Sequence, residues 1–265
     1  MPSASQTRRR ELARLKARRE AARRRARRRR ALLVYGSLGV VVLVAGLAGM
    51  MLRGHEKAKP AAAQDERVDI PTAPAAVACG GKVPPRVIHP KLDRQPKTAA
   101  NPRHHYQALL KTSCGDVTVQ LDPKAAPLTT YNFVFLAQRH YYDSTWFHRI
   151  VPGSKTNIGV IQGGDPKGTG EGGPGYQIPD ELPKGKDPYK KYTLAMANSG
   201  PNTSGSQFFI STQDNKGLQS NYTLFGKVVK GQDVIDKIAA IPVGGARGDT
   251  PTQSVWIESA TVSIT

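Results

Sequence analysis

The feature that most constrains this chain is a long apolar segment that comes directly after an arginine-rich terminus. Residues 31–52 read ALLVYGSLGVVVLVAGLAGMML and contain no charged side chain. At about 1.5 Å per residue, a helix of this length spans the roughly 30 Å hydrocarbon layer of a bilayer. A cleaved secretory signal has a shorter apolar stretch, of about 7–15 residues. We therefore predict an uncleaved transmembrane helix over 31–52.

The charge that precedes this segment predicts its orientation. Residues 1–30 contain thirteen Arg and one Lys against two Glu, which is +12 of the chain's net charge of +19. Cationic residues beside a span are retained in the cytoplasm. A basic tail could also bind nucleic acid, but a run that stops where an apolar segment begins is better explained as a topology signal. We predict a cytoplasmic tail over 1–30, a single-pass anchor in the cell membrane, an extracytoplasmic remainder and no nucleic-acid partner.

Residues 53–103 differ in composition from the C-terminal part of the chain. This range contains eight prolines and many alanines, and it has no apolar run long enough to build a core. Proline favours extended backbone and stiffens a spacer. We predict a disordered extracytoplasmic linker that holds the next domain away from the lipid.

The chain has two cysteines, Cys79 in the predicted linker and Cys114 beyond it. Outside the cytoplasm thiols tend to be oxidised, so a disulfide between them is a candidate that would pin the distal half of the linker. Sequence does not supply the geometry that a disulfide requires, and two free thiols remain the alternative.

From residue 104 to residue 265 the pattern is that of a mainly β domain. Short β-type segments cover 106–111, 117–121, 146–151, 160–162, 194–197, 207–212, 222–229 and 255–264, and Gly and Pro punctuate nearly all of them. Two stretches have helical spacing instead, one starting near Pro127 and one from Val234 to Ile241. Closure into an antiparallel barrel would remove exposed strand edges, although periodicity alone does not distinguish a barrel from a sandwich.

Four strings in this domain resemble the cyclophilin family in order and spacing. They are FHRIVPG from Phe147, VIQGGDPKGTGEGGPGY from Val160, LAMANSGPNTSGSQFFIS from Leu194 and YTLFGKVVKG from Tyr222. The resemblance covers about 104–265 and implies a closed eight-stranded antiparallel β-barrel capped by two α-helices. It also implies peptidyl-prolyl cis-trans isomerase activity on proline-containing polypeptides, with no cofactor or metal.

The chemistry of prolyl rotation explains which side chains matter. Conjugation of the imide creates a barrier of about 18–20 kcal/mol, and a fixed guanidinium that donates a hydrogen bond toward the prolyl nitrogen would weaken it. Arg149 is the candidate, because its charge persists at any physiological pH. The resemblance implies Gln162 as the second catalytic residue, which orients Arg149 or contacts the substrate. It also implies that the bound peptide is held by Val160, Ala197, Asn198, Gln207, Phe209, Leu218 and Tyr222.

Several positions depart from better-known members of the family. The string SKTNIG after Gly153 replaces a single aromatic residue that closes one wall of the proline pocket, so this wall is absent or is rebuilt by Ile158. Gly217 stands where many members have a Trp that hydrogen-bonds to cyclosporin, so we predict weak binding of that drug. Tyr222 replaces the His of eukaryotic members, as in many bacterial ones, and activity is expected to survive. Strand alternation puts His148 on the face opposite Arg149, which predicts a structural role for it.

These departures leave a second hypothesis open, in which the domain binds proline-containing segments as a non-catalytic chaperone or scaffold at the membrane. The joint presence of Arg149, Gln162 and Phe209 argues against it. Motifs of rival chemistries, such as Gly-x-Ser-x-Gly, His-Glu-x-x-His and Cys-x-x-Cys, do not occur in the sequence. We therefore predict a monomeric, membrane-anchored bacterial isomerase that assists the folding of secreted or cell-surface proteins.

Overall fold

The structure, a computed structural model, describes residues 73–154 and 158–265. The predicted cytoplasmic tail, the predicted transmembrane helix over 31–52 and the first part of the predicted linker lie outside the described residues. Inside the two described ranges, no helix has both the length and the apolar character that crossing a bilayer requires.

The described part of the chain contains eleven strands and two α-helices. The strands are β1 Tyr106–Thr112, β2 Gly115–Leu121, β3 Thr145–Trp146, β4 Arg149–Val151, β5 Val160–Gly163, β6 Thr193–Met196, β7 Phe208–Ser211, β8 Leu224–Lys230, β9 Val243–Gly244, β10 Thr250–Pro251 and β11 Trp256–Ile264. The helices are α1 Pro127–Ala137 and α2 Gln232–Ala239. A short 3-10 turn, Ala78–Gly80, precedes them.

Nine of these strands form one curled antiparallel sheet in the order β3-β11-β1-β2-β8-β6-β7-β5-β4. Strands β9 and β10 form a separate two-stranded ladder. The mainly β fold with two helices agrees with the sequence analysis. The predicted closed eight-stranded barrel needs correction, because in the described residues no ladder joins β3 to β4 at the two ends of the sheet.

The segment predicted as one strand over 146–151 is two strands that belong to opposite ends of the sheet. Strand β3 pairs with β11, whereas β4 pairs with β5. Between them the ring of Phe147 is fully buried in the main core, and its backbone N–H donates to the carbonyl of Val255 at 2.9 Å. The chain therefore pairs with β11 before Phe147 and with β5 after it. Burial of the large Phe147 ring outweighs the tendency of residues 146–151 to continue as one strand.

The main core lies between the sheet and the two helices. Its centre is aromatic, with Phe133 of α1 stacked on Tyr142 at 4.8 Å between ring centroids and in edge contact with Phe208. Helix α1 begins at Pro127, and the carboxylate of Glu181 accepts hydrogen bonds from the first free backbone N–H groups, those of Leu128 and Thr129. The Glu181 carboxylate therefore caps the N-terminus of α1.

Residues 73–103, called the strap below, are more ordered than the predicted linker. A disulfide joins Cys79 to Cys114 in the turn between β1 and β2. Backbone hydrogen bonds tie Ala78 to Ser254, Leu92 to Pro174 and Ala100 to Pro127, at 2.9, 2.7 and 2.9 Å. From residue 73 onward the predicted disordered linker is therefore wrong, because this part of the chain lies against the domain.

Two side-chain contacts fasten the middle of the strap. The hydroxyl of Ser144 donates to the carbonyl of Pro85 at 2.6 Å, and a ring nitrogen of His89 donates to the carbonyl of Asp143 at 2.7 Å. These contacts lie beyond the C-terminal end of α1, whereas Ala100 is bonded to Pro127 at its start. The strap thus runs from residues that follow the end of α1 to the residue at which α1 begins.

Candidate active site

The site begins with two polar side chains on neighbouring strands. In the β4–β5 ladder Arg149 lies directly opposite Gln162, and its Nη1 donates to Gln162 Oε1 at 3.2 Å. On its other side, Nε of Arg149 donates to Asp249 Oδ2 at 2.8 Å. Two neighbours therefore fix the plane of the guanidinium, while its side chain remains 36% exposed.

The amide of Gln162 is fixed in turn by a residue one strand further on. Nε2 of Gln162 donates to Gln207 Oε1 at 2.9 Å, and Nε2 of Gln207 donates to the carbonyls of Gly170 and Gly172, both at 2.9 Å. The hydrogen-bond directions of both amides are thus determined by backbone carbonyls of one loop. Through this chain, the loop sets the orientation in which Arg149 is held.

That loop is organised by a buried carboxylate. Asp165 is fully buried and accepts hydrogen bonds from the backbone N–H groups of Lys167, Thr169, Gly170 and Gly172. A carboxylate satisfied by several backbone donors is a strong local organiser. The Gly-rich passage after β5 is therefore a well-ordered rim of the site.

An apolar surface lies beside the guanidinium. Phe209 of β7 is the register partner of Gln162 and packs in a small cluster with Val151, Val160, Tyr189 and Ala195. Its neighbour Phe208 lies in the main core instead, as strand alternation requires. The Arg149 guanidinium and this apolar surface both line one cleft of about 260 Å³.

Eight of the nine predicted site residues line this cleft. They are Arg149, Val160, Gln162, Ala197, Asn198, Phe209, Leu218 and Tyr222. Gln207 does not line it, because its side chain lies behind Gln162 and supports it. Ile158, the residue expected to rebuild the missing pocket wall, also lines the cleft and packs against the apolar cluster. Residues 155–157 of the SKTNIG string lie outside the described residues.

Sequence reasoning did not identify three polar residues of the site. Asp249 holds Arg149, and Arg247 lies beside the cleft with its Nε 3.4 Å from Asp249 Oδ1. Both belong to a loop near the C-terminus that carries no motif. Tyr189 is buried beneath the cleft, where its hydroxyl donates to the carbonyl of Tyr222 and accepts from the N–H of Tyr222. An isolated Tyr outside any matching string gave no signal for this role.

His148 was predicted to lie on the face opposite Arg149, and the structure corrects this. It lies between β3 and β4, outside both strands, so strand alternation does not apply to it, and its side chain lines the cleft. The residue is only 7% exposed, and neither ring nitrogen has a hydrogen-bond partner among the described residues. Burial lowers the pKa of His148, and the nearby carboxylate of Asp165 opposes this shift.

Taken together, these contacts place a fixed cation beside an apolar recess that can hold a proline ring. Ala197 and Asn198, which also line the cleft, follow directly after β6, and this position suits an extended peptide laid beside a strand. Within 73–154 and 158–265, no three His, Cys, Asp or Glu side chains are grouped so that they could hold a metal ion.

Comparison with known proteins agrees with this geometry. The profile of the family described as cyclophilin type peptidyl-prolyl cis-trans isomerase/CLD matches residues 108–262. The chain is 43% identical over 172 residues to peptidyl-prolyl cis-trans isomerase B of Streptomyces anulatus, a match that covers 58% of this chain and 95% of that protein. It is 41% identical over 173 residues to peptidyl-prolyl cis-trans isomerase A of Mycobacterium tuberculosis, covering 59% and 91%.

Solved structures give the same result. A cyclophilin type peptidyl-prolyl cis-trans isomerase of Cryptosporidium parvum superposes with a TM-score of 0.54 at 32% identity, over 60% of this chain and 98% of that one. The structure of that protein in the presence of the dipeptide Ala-Pro gives a TM-score of 0.53 at 32% identity, over 59% and 98%. The chain therefore belongs to the cyclophilin type peptidyl-prolyl cis-trans isomerase family. It is an enzyme that isomerises X-Pro bonds, and its substrates are proline-containing peptides.

Proposed function

We propose that this isomerase is a bacterial single-pass membrane protein whose catalytic domain lies outside the cytoplasm and accelerates prolyl rotation in secreted or cell-surface proteins. Prolyl isomerisation takes tens to hundreds of seconds without a catalyst and limits the folding of many chains. An isomerase lowers the barrier between the cis and trans forms of the X-Pro bond and supplies no net free energy, so it needs no ATP. It therefore suits a compartment in which newly translocated chains fold without a nucleotide supply.

The observation that carries the catalytic part of the proposal is the fixed guanidinium beside the apolar recess. Asp249 and Gln162 use two of the five N–H donors of Arg149. The remaining donors can reach a prolyl nitrogen whose ring is seated on Phe209. A hydrogen bond to that nitrogen withdraws its lone pair from conjugation, so the C–N bond becomes more like a single bond. The hydrogen bond is strongest when the amide is twisted, which stabilises the transition state more than the ground state.

The membrane part of the proposal is supported by sequence. The 22 uncharged residues of 31–52 come after a tail with a net charge of +12, and this arrangement favours a cytoplasmic N-terminus. The disulfide between Cys79 and Cys114 is consistent with an oxidising compartment for the catalytic domain.

The alternative function is a chaperone or scaffold that binds proline-containing segments without accelerating their rotation. The SKTNIG string and Gly217 favour it, because both change the surroundings of the proline recess. The fixed orientation of Arg149 favours catalysis, because binding an apolar ring does not require a guanidinium held on two sides.

One assay separates the two functions. Cis-trans relaxation of a short X-Pro peptide is followed with the full chain in detergent micelles, for the wild type and for Arg149→Ala. We expect the substitution to lower kcat/KM by about 100-fold, the usual effect of removing one preorganised donor. The control is Arg139→Ala, which removes an arginine whose guanidinium lies over the ring of Phe135 on α1, outside the cleft. Relaxation that is equally fast with and without protein would leave only the binding function.

Weak binding of cyclosporin is a further part of the proposal. Gly217 has a φ of +81°, and an added Cβ would meet no heavy atom within 4 Å. An indole that could hydrogen-bond to the drug is therefore replaced here by open space. We expect a Kd in the micromolar range by calorimetric titration of the full chain, and nanomolar binding would contradict the proposal.

A further inference from the structure

The basic charge of the chain beyond its N-terminal tail is concentrated on the strap. Residues 73–103 contain six cationic side chains and one acidic side chain, Asp93, a net charge of +5. The much longer range 104–265 contains fifteen cationic and thirteen acidic side chains, a net charge of +2, and residues 53–72 are neutral overall. One short segment therefore carries most of the positive charge outside the tail.

The cationic side chains of the strap are all exposed to solvent. Each of the six is exposed, namely Lys82, Arg86, Lys91, Arg94, Lys97 and Arg103. Val87, His89 and Leu92 are half-buried against the domain. The disulfide and the hydrogen bonds described above hold the backbone in place. The six cations are therefore exposed on a backbone that is held in place before any partner binds.

Two large aliphatic side chains are interleaved with these cations. Ile88 is 81% exposed and Val83 is 58% exposed, the two highest values among the large hydrophobic side chains exposed in the described ranges. A surface that mixes cations with exposed aliphatic groups is suited to the headgroup region of an anionic bilayer. There the cations meet lipid phosphates, and the apolar groups enter the boundary of the acyl chains.

We propose that the outward face of the strap docks on an anionic lipid surface. The proposal rests on the membrane anchor proposed above. Residues 53–72 separate the predicted span from the strap, and twenty residues reach at most about 70 Å. A tether of this length keeps the strap at high effective concentration near the bilayer, so a weak surface attraction is enough for docking.

Docking through the strap leaves the catalytic cleft free. The described residues that line the cleft include none from the strap. The strap is nevertheless connected to the cleft, since Leu92 is bonded to Pro174 at the end of the loop whose carbonyls hold Gln207. The strap would thus fix the catalytic domain in one orientation at the membrane while the cleft remains open to incoming chains.

An acidic polypeptide is the other partner that a basic face could bind. Charge alone does not distinguish the two partners, but Ile88 and Val83 do. An acidic peptide gains little from two separate exposed aliphatic side chains, whereas a fluid lipid interface accommodates them wherever they lie. The nearby predicted span also brings lipid to the strap in every copy of the chain.

The test measures lipid contact at one strap position. Ile88→Trp is placed in the full chain and reconstituted in nanodiscs that contain brominated lipids, with either neutral or anionic headgroups. Quenching by bromine reports penetration of the indole at residue 88. The native Trp146 and Trp256 are buried and supply a constant background. The matched control is Ile264→Trp, at an exposed isoleucine near the end of β11.

We expect at least a two-fold higher quenching at position 88 in anionic than in neutral discs, and no such difference at position 264. Raising the salt from 0.05 to 0.5 M should remove the difference, because the Debye length falls from about 14 to about 4 Å. Adding Lys82→Gln, Lys91→Gln and Arg94→Gln should reduce quenching at position 88 to its neutral-disc level. Lys227→Gln with Lys230→Gln, two exposed lysines of β8, should leave it unchanged.

Equal quenching at positions 88 and 264, or an equal effect of the strap and β8 substitutions, would overturn the docking proposal. The anchor is tested separately by asking whether the chain remains in the discs after an alkaline wash. If it does not, the anchor is wrong, and quenching at position 88 with anionic vesicles still decides on docking. The basic tail cannot mimic this result, because the signal comes from the strap itself.

Discussion

At the scale of single residues, the site depends on side chains that hold other side chains. Arg149 carries the charge on which the proposed mechanism depends, but Asp249 and Gln162 determine where its donors point. Gln207 in turn fixes the side-chain amide of Gln162 by accepting its hydrogen bond. Residues that never touch substrate are therefore expected to affect the rate through the orientation of Arg149.

Asp249 is the clearest case of such a positioning residue. We expect Asp249→Ala to lower kcat by about ten-fold with little change in KM, because one charge-assisted hydrogen bond to Arg149 is lost. Asp249→Asn keeps an acceptor oxygen for Nε of Arg149 and should recover most of the rate. Steady-state kinetics on an X-Pro peptide checks both variants, and equal losses in the two would contradict a positioning role.

We expect two histidines to make the stability of the domain depend on pH. Burial lowers the pKa of both His89 and His148 from the usual 6.5. Below pH 6.5 the unfolded chain therefore binds more protons than the folded one, and the free energy of unfolding falls as the pH is lowered. Each histidine contributes at most about 1.4 kcal/mol per pH unit to this slope.

The measurement is urea unfolding between pH 7.5 and pH 5.0, for the wild type and for His148→Gln. The variant should show a smaller loss of stability over this interval, because one titrating group is removed. His104→Gln, at an exposed histidine, is the matched control and should behave like the wild type. Parallel curves for all three proteins would contradict the assignment.

At the scale of elements, the strap is the part of the fold that strand and helix patterns do not describe. It has one short 3-10 turn, and it is held to the domain by irregular backbone hydrogen bonds, by two side-chain contacts and by the disulfide. A segment of this kind is stabilised by a few fixed points. The disulfide is the strongest of them because it is covalent.

Removing this disulfide should destabilise the domain. The two cysteines are 35 residues apart, and the chain-entropy relation gives about 3–4 kcal/mol for a loop of that length. We expect Cys79→Ser with Cys114→Ser to lower the free energy of unfolding by up to this amount, measured by urea unfolding. Activity in the absence of urea should change less than two-fold, since neither residue lines the cleft. An unchanged unfolding curve would show that the disulfide does not contribute to stability.

At the scale of the whole molecule, charge divides the chain into parts with different expected neighbours. The tail carries +12, the strap +5 and residues 104–265 only +2. Residues 104–265 are therefore expected to contribute little electrostatic attraction to an anionic surface. The orientation of the chain is therefore expected to depend on the tail and the strap.

The predicted topology has a direct test. A reporter enzyme that is active only outside the cytoplasm, fused after Thr265, should be active in bacterial cells that make the full chain. Replacing seven of the arginines in 1–30 by glutamine should lower this activity, because the charge difference across 31–52 is reduced. High activity from a fusion that lacks 31–52 would contradict the role of this segment.

Much of the site could be predicted because its residues lie in four strings whose order matches one family. Arg149, Gln162 and Phe209 occupy adjacent strands in register. A match to the family in sequence therefore also predicts their relative positions. The apolar segment and the basic tail are likewise properties of consecutive residues, and their predicted roles depend on hydropathy and charge alone.

The tertiary structure decided what depends on contacts between distant residues. Asp249 is 100 residues from Arg149 along the chain, Cys79 is 35 from Cys114, and Ala76 is 178 from Ser254. The path of the chain at Phe147 and the position of His148 result from burial of one ring in a core assembled from many segments. Local sequence patterns report local preferences, whereas these features depend on which surfaces meet after the chain has folded.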